Sequence, residues 1–272
     1  MKKRMAALGM ILLLVGGTIM GCGNSSGESS DSEENVEKGP FRVATSPTSI
    51  PMSYKDDEGN LTGFEHDVIE EIGKRIGREV EWTTVEGTDN LFGALDAGRV
   101  DTIAFQISVN EERKENYNFT DTYGHNEIYL AVRDDFKYDT LEDLEGKVVS
   151  VNPSHSLYPV IEEYNKDLPD DRKIQTIATD NTTKYEDLEL GRFDAFPVTK
   201  IGYNTTMEKK DYKVKIGGKA LVVEENAYPF AKDGDQALFE EVNTAIKDML
   251  DDGTLAEISE EYYKMDVTKV SE

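Results

Sequence analysis

Arg113 stands in a charged run, Glu111-Glu112-Arg113-Lys114-Glu115, that follows a short apolar β-run, Val100 to Phe105, and a polar turn through Gln106 and Ser108. A strand end, a polar loop, a helix start and an arginine together suit a small carboxylate. The unpaired N–H groups and dipole at a helix N-terminus favour an anion. A guanidinium adds a planar, permanently charged fork that holds both carboxylate oxygens. On the residues alone Arg113 reads equally well as a solvated charge on an exposed helix, and Gln106 and Ser108 as ordinary turn formers. Asn152, His155 and Ser156 make a second such loop before an expected helix at 156–165, where Ser156 is either a ligand donor or a cap.

Other chemistries find no support. His66, His125 and His155 lack metal-ligand spacing, and neither a His-Glu-x-x-His pair nor an acidic calcium loop occurs. Gly23-Asn24-Ser25-Ser26-Gly27 matches a nucleophile pattern, but no strand precedes it and no helix follows. Cys22 is the single cysteine, so an intrachain disulfide and Cys-x-x-Cys redox chemistry are excluded. No cofactor, metal or catalytic residue is expected.

The elements that must position these residues alternate. Phe64, Val68, Ile69, Ile72 and Ile76 form one stripe of a helix at 64–77, followed by a strand at 79–85. Thr140 can cap a short helix ending at Gly146. After it come strand 147–151, helix 156–165, strand 173–178, helix 182–190 and strand 193–197. Leu238, Val242, Ile246 and Met249 mark a helix at 235–250, and Thr254 with Glu257 fits a capping box for the last helix. Strands alternating with helices predict an α/β fold with mostly parallel sheets covered on both faces. An internal echo points to two lobes. Leu95-Asp96-Ala97-Gly98-Arg99-Val100-Asp101 and Leu188-Glu189-Leu190-Gly191-Arg192-Phe193-Asp194 each end a helix in a glycine and open a strand between charges.

The ends and the charge bound the setting. Lys2, Lys3 and Arg4 precede an apolar run from Met5 to Met20, so residues 1–21 read as an export signal, too short and glycine-rich for a comfortable span. Ile19-Met20-Gly21-Cys22 resembles the lipobox of bacterial lipoproteins, which implies a lipid on Cys22. Residues 22–39 are polar and acidic and read as a disordered tether, spanning roughly 25 Å as a coil. A net charge of −25 argues against nucleic acid and against lying flat on anionic lipid.

The order of FRVAT, Pro51 and Tyr54, GNLTGFEHDVIEEIGKRIG, ALDAGRVDTI, SVNEER, NFTDTY, LEDLEGKVVSV, GRFDAF and DDGTLAEISEEYY, from about Phe41 to Val267, resembles one family. It is that of the bacterial extracellular solute-binding proteins that deliver polar amino acids to ABC transporters. DNLFGALDAGRVDTIAFQIS is most similar to the cystine-binding branch. The resemblance implies a type II periplasmic-binding-protein-like fold, with two α/β lobes joined by two crossing strands near 129–133 and 225–230. Lobe one would hold residues 40–130 and 228–268, and lobe two 131–227.

It also implies a cleft in which Arg113, Ser108 and Gln106 meet the ligand from lobe one and Asn152 and Ser156 from lobe two. At four further positions the family's usual residues are replaced. Thr199 and Ser46 stand where aspartates face the ammonium, and Ser49 and Thr88 where aromatic rings line the cleft. A buried ammonium without a carboxylate is costly. Either Glu65 or Asp89 therefore enters the cleft, or the ligand is not a plain α-amino acid. The expected function is a monomeric, lipid-anchored receptor on the outer face of the membrane. It would capture a polar amino acid, cystine or a relative, and deliver it to a membrane ABC permease. It would not be an enzyme. The alternatives are a cyclohexadienyl dehydratase-like enzyme on the same scaffold and a sensing module for a separate partner.

Overall fold

A computed structural model describes residues 38–179 and 182–271. The expected signal, Cys22 and the tether up to residue 37 lie outside the described residues. Lys38 and Gly39, the last two positions of the expected tether, are fastened instead. Lys38 Nζ donates to Ile76 O (3.0 Å) and Glu241 (2.8 Å), and Gly39 O accepts from Arg78 Nη1 (3.0 Å).

The chain opens with β1 (Phe41–Thr45), a small ribbon of β2 (Tyr54–Lys55) and β3 (Leu61–Thr62), and α1 (Phe64–Ile76). There follow β4 (Val80–Thr84), α2 (Thr88–Asp96), β5 (Thr102–Ile103), α3 (Glu111–Asn116) and β6 (Tyr117–Phe119). A long strand, β7 (Gly124–Arg133), leads to a 3-10 turn at Leu141–Leu144, β8 (Val148–Ser150), α4 (Tyr158–Asn165), β9 (Gln175–Ile177) and α5 (Lys184–Glu189). The return passes through β10 (Ala195–Thr199), α6 (Lys200–Lys209), β11 (Val214–Asn226) and β12 (Pro229–Ala231) to α7 (Gln236–Asp251) and α8 (Thr254–Tyr263).

Two sheets anchor two lobes. The first is parallel in the order β4-β1-β5, and the second runs β11-β7-β10-β8-β9. Strand parity assigns each face its own core. Phe41 and Val43 pack with the stripes of α1 and α7, while Ala44 packs with Leu91 and Leu95 of α2. In the second sheet Leu130 and Val132 join Leu157 and Ile161, whereas Ala131 joins Tyr185 and Leu188.

The sequence echo is a structural repeat. Gly98 and Gly191 adopt φ of 63° and 69° after their helices. Asp101 N donates to Arg42 O while Asp101 Oδ2 accepts from Arg42 N, both at 2.8 Å. Asp194 makes the same pair of contacts with Val148, at 2.7 and 3.0 Å. Each aspartate also meets a guanidinium, Arg42 in lobe one and Arg133 in lobe two. One device joins neighbouring strands near their N-terminal ends in both sheets.

Two local expectations are corrected. Thr254 is not a cap: Gly253 precedes α8, and Asp252 Oδ1 accepts from Thr254 N (3.0 Å) and Thr254 Oγ1 (2.6 Å). Residues 129–133 do not cross between lobes, because they pair with β10 inside the second sheet. The crossing ladder is earlier, Gly124–Glu127 against Val223–Asn226. Thr140, by contrast, does form a capping box with Asp143.

Glu65 lies on the apolar stripe of α1 and is 0 % exposed. Its Oε1 accepts from Gln106 N (2.7 Å) and the Tyr123 hydroxyl (2.6 Å), and its Oε2 from the Tyr228 hydroxyl (3.0 Å). Tyr123 and Tyr228 stack at 4.3 Å. One carboxyl thereby ties α1 to the loop after β5 and to both chain segments entering or leaving the crossing ladder. Burial pushes it from the ordinary 4.5 up to about 7, against the pull of the three donors.

Gly63 has φ 120°, and a Cβ there would lie 2.6 Å from Met52 O. Gly63→Ala is expected to cost about 1–3 kcal/mol by urea denaturation, since backbone rather than a movable side chain blocks it. For Glu65 the folded value exceeds the unfolded one, so the native state binds more protons between pH 4.5 and 7, and stability falls as pH rises through that window. Glu65→Gln keeps a carbonyl for two donors and turns an N–H toward Tyr228. It should remove that slope and gain about 3 kcal/mol on wild type between pH 4.5 and 8. His155, whose pKa burial lowers, contributes an opposite slope in both proteins. Parallel urea titrations giving identical pH profiles would refute the Glu65 assignment.

Candidate ligand-binding site

Ligands of open α/β sheets sit beyond the strand C-termini. In lobe one these ends carry Ser46 and Ser49 after β1, Thr88 after β4, and Gln106 and Ser108 after β5. In lobe two they carry Asn152 and Ser156 after β8, Thr179 after β9 and Thr199 at the end of β10. Both edges converge on the crossing ladder. Ser108 bridges to Asn226, with Val109 N donating to Glu225 O (2.8 Å), and Thr199 pairs with Ile128. Ile201, in the first turn of α6, packs against the lobe-one core.

Arg113 is half-buried rather than loose in solvent. Its Nη1 donates to Ser108 O (2.6 Å) and Ser108 Oγ (2.8 Å), and its guanidinium lies 5.4 Å from the Phe92 ring centre. Asn110 Oδ1 caps α3 by accepting from Arg113 N (2.8 Å). Nε and Nη2, a pair of parallel donors, have no partner among the described residues, and no acid pairs with the side chain there. That leaves the fork free for a carboxylate.

The other expected residues divide. Gln106 takes φ 43°, its N–H is held by Glu65, its carbonyl accepts from Asn226 Nδ2 (3.0 Å), and its Nε2 donates to the Tyr263 hydroxyl (3.2 Å). It shapes the loop through main-chain groups already engaged. Ser46 is buried with its hydroxyl 3.3 Å from that of Thr48, and Ser49 pairs through its backbone with Ser53. Thr88 opens α2 behind Gly87. Thr199 Oγ1 accepts from Gly202 N (2.9 Å) and so caps α6. Ser156 is not a cap, since α4 starts at Tyr158 after Leu157, and its Oγ is buried without a partner among the described residues. Glu65 does not enter the cleft, because it is enclosed within lobe one; Asp89 is exposed on the first turn of α2.

Lobe two offers two adjoining hollows of ≈ 260 and ≈ 290 Å³ that share His155, Lys184 and Pro197. Asn152 lines the first and Thr199 the second. His155 Nδ1 accepts from Leu157 N (3.1 Å), which leaves the proton of the neutral ring on Nε2. Burial lowers its pKa, the Glu224 charge opposes that, and Lys184 reinforces it. Burial also lowers the pKa of Lys184, whose ammonium lies 5.0 Å from the Phe196 ring centre. A larger hollow of ≈ 710 Å³ opens at the opposite edge of lobe one, but its arginines are engaged, Arg42 by Asp101 and Arg78 by Glu241. Lys184, Glu224 and Asn226 were not singled out in sequence. Val222-Val223-Glu224-Glu225 carries no alternation of type; only the pleat of β11 sets 222, 224 and 226 apart from exposed 223 and 225.

No cluster of three or more potential metal ligands occurs among the described residues, and no helix there is long and apolar enough to cross a membrane. The chain is 33% identical over 270 residues to a probable amino-acid-binding protein of Bacillus subtilis, YxeM, covering 98% of this chain and 97% of the relative. It is 32% identical to the L-cystine-binding protein TcyJ of Escherichia coli K12, covering 86% of each. A solved structure of a probable amino-acid ABC transporter extracellular-binding protein of Bacillus subtilis, ytmK, superposes with a TM-score of 0.72 at 25% identity, covering 83% of this chain and 97% of that one. These relatives are named as binding proteins, not enzymes. Residues 41–265 match the family described as bacterial extracellular solute-binding proteins, family 3, and the chain belongs to that family.

Proposed function

We propose that this protein is a lipid-anchored receptor that captures a polar amino acid between its lobes and presents it to an ABC importer. The observation that carries the reading is the half-buried Arg113 fork, fixed at Nη1 by Ser108 and open at Nε and Nη2, at the sheet edge that meets the crossing ladder. A ligand carboxylate would dock there first. The lobe-two loop with Asn152 and Ser156, whose hydroxyl awaits a partner, would then close on it. Ligand contacts made by the second lobe only in the closed form would drive that closure.

The lobe boundaries follow from the ladder. Lobe one would comprise residues 38 to about 123 and about 227 to 271, and the second sheet with its helices would form lobe two. Cystine is the first ligand to test, supported by the relative named for it. Cys22 would carry the lipid, and residues 22–37 would let the monomeric receptor reach its permease.

Thermal-shift screening against L-cystine, the standard amino acids and short peptides should find a stabilising ligand for the wild type. Arg113→Ala should abolish that stabilisation, weakening binding by about 2–5 kcal/mol while leaving the unliganded melting temperature nearly unchanged. Full binding by the variant would place the anion site elsewhere.

A further inference from the structure

One face of β11 carries three inward residues in succession, Val222, Glu224 and Asn226. Asn226 lies against the ledge that holds the arginine: it bridges to Ser108, and its Nδ2 donates to Gln106 O (3.0 Å). Val222 pairs with Ile128, which in turn pairs with Thr199 and lines the lobe-two hollow with His155 and Lys184. Glu224 sits between them, roughly 7 Å along the strand from either neighbour.

Its carboxylate has no hydrogen bond or ion pair among the described residues, although its charge is felt at His155. Its neighbours on the opposite face differ. Glu127, across from Val223, is buried and satisfied by Ser271 N (2.8 Å) and Ser271 Oγ (2.7 Å). Asn226 contributes a second vacant acceptor: Oδ1 is buried without a partner among the described residues, and the residue is only 1 % exposed. An ammonium has three N–H donors and no acceptor, so it needs several oxygens within reach. A half-buried carboxylate beside an orphaned amide oxygen provides them.

We propose that Glu224, assisted by Asn226 Oδ1, receives the ammonium of the ligand. The crossing strand thus supplies the negative half of the site, which neither Thr199 nor Ser46 provides. The inference rests on the receptor reading and names the ligand class of the same site: a compound whose protonated amine stands close to its carboxylate, as in an α-amino acid. With the carboxylate on Arg113 and the amine on Glu224, the remainder of the ligand points toward the lobe-two hollows, where His155 and Lys184 select it.

Calorimetry on the wild-type full chain with L-cystine and the twenty standard L-amino acids identifies the tightest binder. That compound and its deaminated acid are then titrated into Glu224→Gln and Glu225→Gln. Glu224→Gln should weaken the amino acid at least about 30-fold. The preference over the deaminated acid should collapse, and the unliganded melting temperature should not move. Glu225→Gln, on the outer face, should bind within about twofold of wild type. Unchanged affinity in Glu224→Gln would overturn this assignment while leaving the receptor reading intact. So would equal weakening of the amino acid and its deaminated acid, which would mark a structural role. A wild type that binds none of these compounds would overturn the receptor reading, and this assignment with it.

Discussion

A carboxyl group enclosed in lobe one is the contact on which the geometry of the site depends. Glu65 is out of water, and an unpaired buried carboxylate would be costly. The chain answers with three donors from three segments: the Gln106 amide, Tyr123 just before β7, and Tyr228 just after β11. Gln106 is thereby held at φ 43°, a backbone angle that glutamine rarely adopts without such support. From that turn the chain runs to Ser108 and Arg113, so the aim of the guanidinium is inherited from a group it never touches. The same carboxyl fastens both strands of the crossing ladder to α1 at its lobe-one end, so the ladder leaves lobe one from a fixed point.

Charge is arranged in layers around this point. The surface is acidic, with a net charge of −25, yet the described cleft region holds Arg113 and Lys184 against Glu224, with the neutral His155 ring beside Lys184. An acidic exterior keeps anions at a distance, whereas the local cations suit the carboxylate of the proposed ligand. Most exposed ion pairs, such as Lys74 with Glu71, contribute little, but Arg42 with Asp101 and Arg133 with Asp194 are tied to backbone strands as well. These two pairs stabilise each lobe as a unit.

Much of the fold was legible in the sequence because its long helices repeat at their natural period. The stripes of α1 and α7 run into the buried core residues they predict, and the glycine-ended echo marks the same junction in both lobes. Glu65 could have been read too, since it precedes Val68 and Ile69 by three and four residues on the apolar stripe. Its acidic type, normal in a first helical turn, instead made it a candidate to enter the cleft. α6 gave no pattern because none of its residues is buried. The crossing ladder was placed too late because β7 runs uninterrupted from one lobe into the other, and nothing in its composition marks the border. Nothing in the pair Glu224-Glu225 separates one charge from the other in sequence; only the pleat distinguishes the two.

The join between the lobes is itself a hydrogen-bonded ribbon, Gly124–Glu127 with Val223–Asn226. A two-stranded ribbon accepts extra twist readily. The halves can therefore swing by coiling this ribbon while its rungs stay intact, and no backbone group has to be exposed to water and paired again during the motion. An opening stroke built this way breaks no rung of the ribbon, so its enthalpic cost is small.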